Sequence, residues 1–148
     1  MEEDKYFIPD IEDIRTGYEC ELYVEDSWQE ATLIDITKLG LKFNSFNKKK
    51  EWIFTNVDGT VIKTPYLTKE QIEAEGWQVI DDKNPTKFKH LIEVDVQIIY
   101  DFENHYLWIT IPAEIVKEKI KYRANKYAGY CKSINEFRYI SKLLQLNI

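Results

Sequence analysis

From Tyr18 the apolar positions recur at every second residue. Tyr18, Cys20, Leu22 and Val24 fall on one face, and Glu19, Glu21 and Tyr23 on the other. This period predicts a half-buried strand. Asp26-Ser27 reads as a turn, and Trp28 to Ile36 as a second strand closing a hairpin. Leu39-Gly40 turns the chain into Leu41–Phe46, a third strand, and Asn47–Lys50 is a polar loop. Trp52-Ile53-Phe54 opens a fourth strand, Asp58-Gly59 carries the signal of a two-residue hairpin turn, and Val61–Thr64 returns. Upstream, Ile11 and Ile14 suggest one helical turn that Gly17 breaks, and Met1–Lys5 reads as a loose terminus.

At the middle of the chain the periodicity changes. Thr68 and Gln71 have the spacing of a capping box, in which hydroxyl and amide each satisfy an orphan backbone N–H. Lys69 to Glu75 then make a helix too short to stand alone, and Gly76 supplies the positive φ that ends it. Leu67, Ile72 and Trp77 can point the same way, which would pin this helix to a sheet. Beyond Trp77–Ile80, the run Asp81–Thr86 reads as a loop. Phe88–Phe102 follows as one long strand, with Ile92, Val94, Val96, Ile98 and Tyr100 at alternate positions. Glu103-Asn104-His105 is a tight turn, Tyr106–Ile111 pairs back, and Pro112 ends that strand. Ala113–Arg123 stays open between a short helix (Ile115, Val116, Ile120) and a strand alternating through Tyr122, Ala124, Lys126 and Ala128. Ser133 and Glu136 have the spacing of a second capping box. Phe137, Ile140, Leu143 and Leu144 recur at helical spacing, leaving Arg138, Lys142 and Gln145 exposed.

The fold expected is α+β, mainly antiparallel sheet with two short capped helices, the second at the C-terminus. The 148 residues suit a single domain, with sub-lobes at 10–77 (β-barrel-like) and 78–148 (a β-hairpin plus the C-terminal helix). Composition adds an aromatic load of ten Tyr, seven Phe and four Trp, enough to build a core or a surface of flat rings. No apolar run approaches the roughly 18 residues of a membrane helix, and the acidic N-terminus is unlike a signal peptide. Cys20 and Cys131 lack metal-type spacing, so a cytoplasmic protein with two reduced thiols and no membrane partner is expected.

Charge is uneven. Residues 1–75 hold 17 acidic and 9 basic side chains, a net −8, whereas residues 76–148 hold 9 acidic and 11 basic, a net +2. The first 35 residues set twelve carboxylates against Lys5 and Arg15. Such a face repels nucleic acid and attracts basic surfaces; a solvated acidic surface explains the same numbers.

Three stretches carry a resemblance. They are Ile11-Glu12-Asp13-Ile14 with Gly17–Glu21, then Tyr66–Glu73, then Gly129-Tyr130-Cys131-Lys132-Ser133-Ile134-Asn135-Glu136-Phe137 to Leu144. In that order they resemble a group of small uncharacterised proteins from gut bacteria and their phages. The resemblance spans most of the chain, implies a phage or mobile-element setting, and brings no activity with it. Separately, Gly17-Tyr18-Glu19-Cys20-Glu21 followed by Glu25-Asp26-Ser27-Trp28-Gln29-Glu30-Ala31 is similar to the opening hairpin of Tudor and other SH3-like barrels. That likeness implies an SH3-like barrel over residues 14 to 72. It also implies an aromatic cage for methylated Lys or Arg, with Tyr23, Trp28, Phe46 and Trp52 as rings. The Gly-rich turn expected between the third and fourth strands is missing here.

Candidate chemistry is sparse. His90 and His105 are the only histidines, and neither has partners at catalytic or ligand spacing. Cys131, beside Lys132 and just before a helix, suits either a reactive thiol or a buried strand-end cysteine, and the buried reading is the simpler. Nucleotide-binding, hydrolase-elbow and CxxC patterns are absent from the sequence. The expectation leans to a non-enzymatic protein without cofactors: a phage or mobile-element accessory protein binding a host macromolecule, in one version an inhibitor of a host defence system. Glu19, Glu21, Glu25, Asp26 and Trp28 are the candidate protein-binding residues, meeting a host protein with a basic surface. The alternative is a nucleic-acid-binding module using Lys119, Lys121, Arg123, Lys126, Tyr127 and Arg138, where cations and rings interleave. A small metal-dependent hydrolase built on the carboxylates is a third reading.

Overall fold

The computed structural model describes residues 5–93 and 95–144. The expectations for a loose terminus before Lys5, for Val94 as a strand position and for an exposed Gln145 lie outside the described residues. The chain divides into two compact units, Met1–Tyr66 and Leu67–Ile148. It is mainly antiparallel sheet with two helices, one of them short.

The first unit is a six-stranded sheet made of β1 (Tyr6–Phe7), β2 (Glu19–Val24), β3 (Ser27–Thr37), β4 (Gly40–Ser45), β5 (Glu51–Phe54) and β6 (Ile62–Pro65). Its spatial order is β1-β6-β2-β3-β4-β5. The period-2 pattern does the work expected of it, since Tyr18, Cys20, Leu22, Ala31, Leu33, Phe43 and Ile62 form one buried cluster. Ile14, at the end of a 3-10 turn over Ile11–Asp13, joins that cluster. Glu25 and Asp26, rather than Asp26-Ser27, occupy the hairpin turn, with φ of 52° and 66°. Gly40 at φ 137° lies so close to β5 that an added Cβ would meet the Phe54 carbonyl oxygen at 2.1 Å, which only glycine avoids.

Two expectations for this unit are corrected. Asp58-Gly59 is not a hairpin turn, because β6 pairs with β2 and β1 and not with β5. The Asp58 carboxylate instead accepts from the Thr60 amide at 2.8 Å, a local Asx turn that redirects the chain. β6 then crosses to the far edge of β2, where Ile62 and Thr64 are buried and the Tyr18 and Thr64 hydroxyls lie 2.8 Å apart. The sheet is also not closed into a barrel: β1 and β5 are its two edges.

The second unit contains α1 (Lys69–Ala74), β7 (Trp77–Asp81), β8 (Asn84–His90), β9 (Gln97–Asp101), β10 (Tyr106–Val116), β11 (Lys119–Tyr130) and α2 (Ile134–Leu143). Its strands lie in chain order, β11-β10-β9-β8-β7. The capping box of α1 forms as expected: the Gln71 amide donates to Thr68 Oγ1 at 3.2 Å and the Thr68 amide to Gln71 Oε1 at 3.0 Å. Leu67, Ile72 and Trp77 are all buried in a core shared with Phe88, Ile98, Tyr100, Leu107, Ile109 and Phe137.

Elsewhere local pattern misled. The segment expected as a loop at 81–86 is the tip of a β7–β8 hairpin: Asp81 ends β7 and pairs with Asn84, the first residue of β8, across a turn at 82–83. The single long strand expected over 88–102 is two strands, β8 and β9, that pair with each other. His90 breaks the run: its Nδ1 accepts from the amides of Ile92 (3.2 Å) and Glu93 (3.0 Å), while Leu91 and Ile92 point to solvent. β10 continues through Pro112 because β9 has ended at Gln97, opposite Thr110, and a register irregularity falls between Pro112 and Glu114. Ala113–Arg123 resolves as strand, β10 and β11 running on as a two-stranded ribbon to a turn at Lys117 (φ 52°) and Glu118 (φ 66°). At α2, Ser133 stands at the N-cap position without a side-chain cap bond, and Glu136 takes the Lys132 amide instead, at 2.8 Å. Ile134, Phe137 and Ile140 form its buried stripe; Leu143 is exposed.

Candidate binding surfaces

Pleating alone decides what the outer face of the first sheet carries. With Cys20, Leu22, Ala31 and Leu33 turned to the core, Glu19, Glu21 and Tyr23 of β2 face the other way, as do Trp28, Glu30 and Thr32 of β3. The register sets Glu21 opposite Glu30 and Tyr23 opposite Trp28. On the other flank β6 places Lys63 opposite Glu21, and β1 places Tyr6 opposite Pro65. The rings converge. Tyr23 and Trp28 meet edge to face with centroids 5.5 Å apart. The Lys63 ammonium sits 4.0 Å from the Tyr6 ring centroid and 4.4 Å from that of Trp28, a cation held between two π faces.

The five acidic-face candidates therefore divide. Glu19, Glu21 and Trp28 share this outer surface. Glu25 sits in the hairpin turn, where Lys50 Nζ lies 2.6 Å from Oε2 and Gln29 donates at 3.3 Å. These bonds, that from Lys50 foremost, hold its carboxyl below the ordinary carboxylate range. Asp26 is at the exposed turn tip. The sequence reading missed Tyr6, Glu30 and Lys63. Tyr6 and Lys63 lie far apart in the chain and meet only because β1 and β6 pair. The alternation Ile62-Lys63-Thr64 was the one available signal, placing Lys63 opposite the buried face. The four-ring cage does not assemble. Trp52 packs against the core cluster, on the face opposite Trp28, and Phe46 is 79% exposed.

The basic candidates of the second unit mostly serve the unit itself. Lys119, Lys121, Arg123, Lys126 and Tyr127 all lie on β11, the sheet's edge strand. Arg123 reaches back across the ribbon: Nε donates to Thr110 Oγ1 at 2.9 Å, and NH2 donates to the Thr110 carbonyl and to that of Asp95. Lys121 pairs with Glu114 at 3.6 Å. On α2, Arg138 Nε donates to Glu75 at 2.8 Å. The Tyr127 hydroxyl donates to the Tyr130 carbonyl at 3.0 Å. A basic stripe by count is largely a set of internal ties by geometry.

The two thiols are buried rather than poised. Both cysteines are free and buried. Burial, reinforced by Glu21 and Glu19, pushes the Cys20 thiol up to about 12, and burial raises Cys131 as well, with Glu136 adding to it. Those directions disfavour the thiolate. His105, at φ 58° in the Glu103–His105 turn, is depressed by burial against an opposing pull from Asp101. Among the described residues, no group of three or more His, Cys, Asp or Glu is placed to hold a metal ion, and no helix is long and apolar enough to cross a membrane. No family model, curated protein or solved structure matches the chain.

Proposed function

We propose that this chain is a non-enzymatic binding protein that engages a partner protein through the outer face of its first sheet. The observation that carries the reading is the Lys63 ammonium seated between the Tyr6 and Trp28 rings, on a face that also presents Glu19, Glu21 and Glu30. Rings and carboxylates together select cations: carboxylates draw a basic surface in, and rings bind an ammonium or guanidinium group once it is partly desolvated. The partner is a host protein with a basic surface. In the phage or mobile-element setting that the resemblance implies, a component of a host defence system is the specific version, its nucleic-acid-binding groove occupied by this acidic face. The SH3-like reading of the first unit belongs to the same proposal, supported by five consecutive strands, β2 to β6, of which the last returns to pair with the first. A nucleic-acid-binding role for the basic residues of β11 and α2 is the weaker alternative, since Arg123, Lys121 and Arg138 already have partners within the chain.

The test is a tagged pull-down from host lysate, with and without nuclease, comparing the native chain with a Glu19→Lys, Glu21→Lys, Glu30→Lys variant. A stoichiometric protein that survives nuclease and is lost with the variant supports the proposal. Partners that vanish on nuclease digestion, or bind the charge-reversed chain equally well, overturn it.

A further inference from the structure

We infer that the slot between Tyr6 and Trp28 is a binding site for a single lysine-type ammonium group from a partner, and that Lys63 is its built-in occupant. The inference rests on the binding face proposed above and adds the ligand's chemistry and the way the site is held shut. A cation between two ring faces gains electrostatic energy from both quadrupoles. Here the cation belongs to the chain, so the slot is already shaped and oriented for an ammonium at the end of a flexible four-carbon stem. Lys63 is tethered to it on β6, whose register against β2 puts it on the outer face beside Glu21. One wall, Tyr6, lies in a two-residue strand at the edge of the sheet. That strand is held by its pairing to β6 and by Phe7 against Tyr66, ring centroids 5.0 Å apart. The other wall, Trp28, stands at the start of β3 and is braced by Tyr23.

An external ammonium competes with this tethered one. Cation–π contacts at exposed sites correspond to about a two- to fivefold preference for the filled slot, so emptying it should tighten an outside lysine roughly three- to sixfold. The neighbouring carboxylates would also attract a cation more strongly once the Lys63 charge is gone, so the comparison must separate charge from occupancy. Lys63→Ala removes both, whereas Lys63→Met removes the charge but leaves an unbranched side chain to lie in the slot.

The experiment is an NMR titration of the full chain with the peptide acetyl-Gly-Lys-Gly-amide, following the amides of β3 and β6, with acetyl-Gly-norleucine-Gly-amide as the uncharged control. The expected result is tighter lysine-peptide binding by Lys63→Ala than by the native chain, at least twofold tighter than by Lys63→Met. The norleucine peptide should not bind, and lysine-peptide binding should be lost in Lys63→Ala/Trp28→Leu. Matching the thermal melts of the variants to that of the native chain guards against a folding defect. Equal affinities for Lys63→Ala and Lys63→Met, equal binding of norleucine, or no binding to Lys63→Ala would each overturn the inference. The binding face itself stands or falls separately, on whether reversing Glu19, Glu21 and Glu30 loses the partner protein.

Discussion

The candidate acidic face of the first unit and the candidate basic stripe of the second differ in how their cations are held. In the first, the outer sheet face gathers Glu19, Glu21 and Glu30 beside an aromatic slot, and the Lys63 ammonium is sandwiched by its rings. In the second, Arg123 stitches β11 to β10 and to the Asp95 carbonyl, Lys121 meets Glu114 across the ribbon, and Arg138 holds Glu75. A count of charged residues nominates both surfaces, one acidic and one basic. Geometry does not, because a cation already satisfied by carbonyls and carboxylates must give up those bonds before it can meet a ligand. What distinguishes a binding face from a basic stripe is where the side chains go, not how many there are.

The contrast can be broken most directly by swapping charges on each surface. Glu19→Lys/Glu21→Lys/Glu30→Lys should weaken capture of a basic partner by about 100-fold or more, close to 2.7 kcal/mol. Lys119→Glu/Lys126→Glu should change it less than about twofold; the reverse ranking, read by surface plasmon resonance at several salt concentrations, would exchange the roles of the two units. Next in size is Arg123→Ala. It removes charge-assisted bonds to Thr110 and Asp95 and should cost about 1.5 kcal/mol in urea unfolding, whereas Lys126→Ala should stay within about 0.5 kcal/mol. Equal effects would mean that Arg123 is no more structural than an exposed lysine.

Smaller effects separate the two helix starts. Thr68→Ala removes a working capping box and should cost about 1 kcal/mol, and Ser133→Ala, whose hydroxyl makes no cap bond, should cost a few tenths. Glu136→Gln would then show how much the Lys132 amide gains from a charged acceptor. The smallest effect is on pH dependence. Burial depresses His105, so the unfolded chain takes up its proton first as pH falls through the ordinary value of 6.5. Stability from this group is therefore complete above that value and declines below it until the folded form is protonated too. A His105→Gln variant should flatten the melting temperature between neutral pH and mild acid; a histidine NMR midpoint above the ordinary value would contradict the assignment.

Much of this was legible without coordinates, and the reason is locality. Alternation from Tyr18 to Val24 identified a strand and its buried face, because side-chain direction in a strand has a period of two. Thr68, Gln71 and Gly76 announced α1 at both ends, because capping chemistry acts within a single turn. The readings failed where a nearby signal had a distant competitor. Asp58-Gly59 looks like a hairpin turn, but the partner of β6 is β2, forty residues upstream, chosen because Ile62 and Thr64 complete the core around Leu22 and Tyr18. Likewise the apolar alternation over 88–102 hid a turn, because the group that makes it is the His90 side chain accepting two backbone amides. Ser133 and Glu136 have the right spacing for a capping box, yet the carboxylate took the amide one residue earlier.

The chain by itself determined which segments are strands and helices over most of its length, which strand faces are buried, and that the first half carries the negative charge. These are properties of dihedral preference, side-chain period and composition, all readable over a few residues. The tertiary structure alone decided that Tyr6, Trp28 and Lys63 meet, that Arg123 and Arg138 are occupied, and that Trp52 belongs to the core and not to a cage. Those outcomes depend on strand order and register, which are set by how distant apolar faces share one core, and no window of the sequence contains both partners.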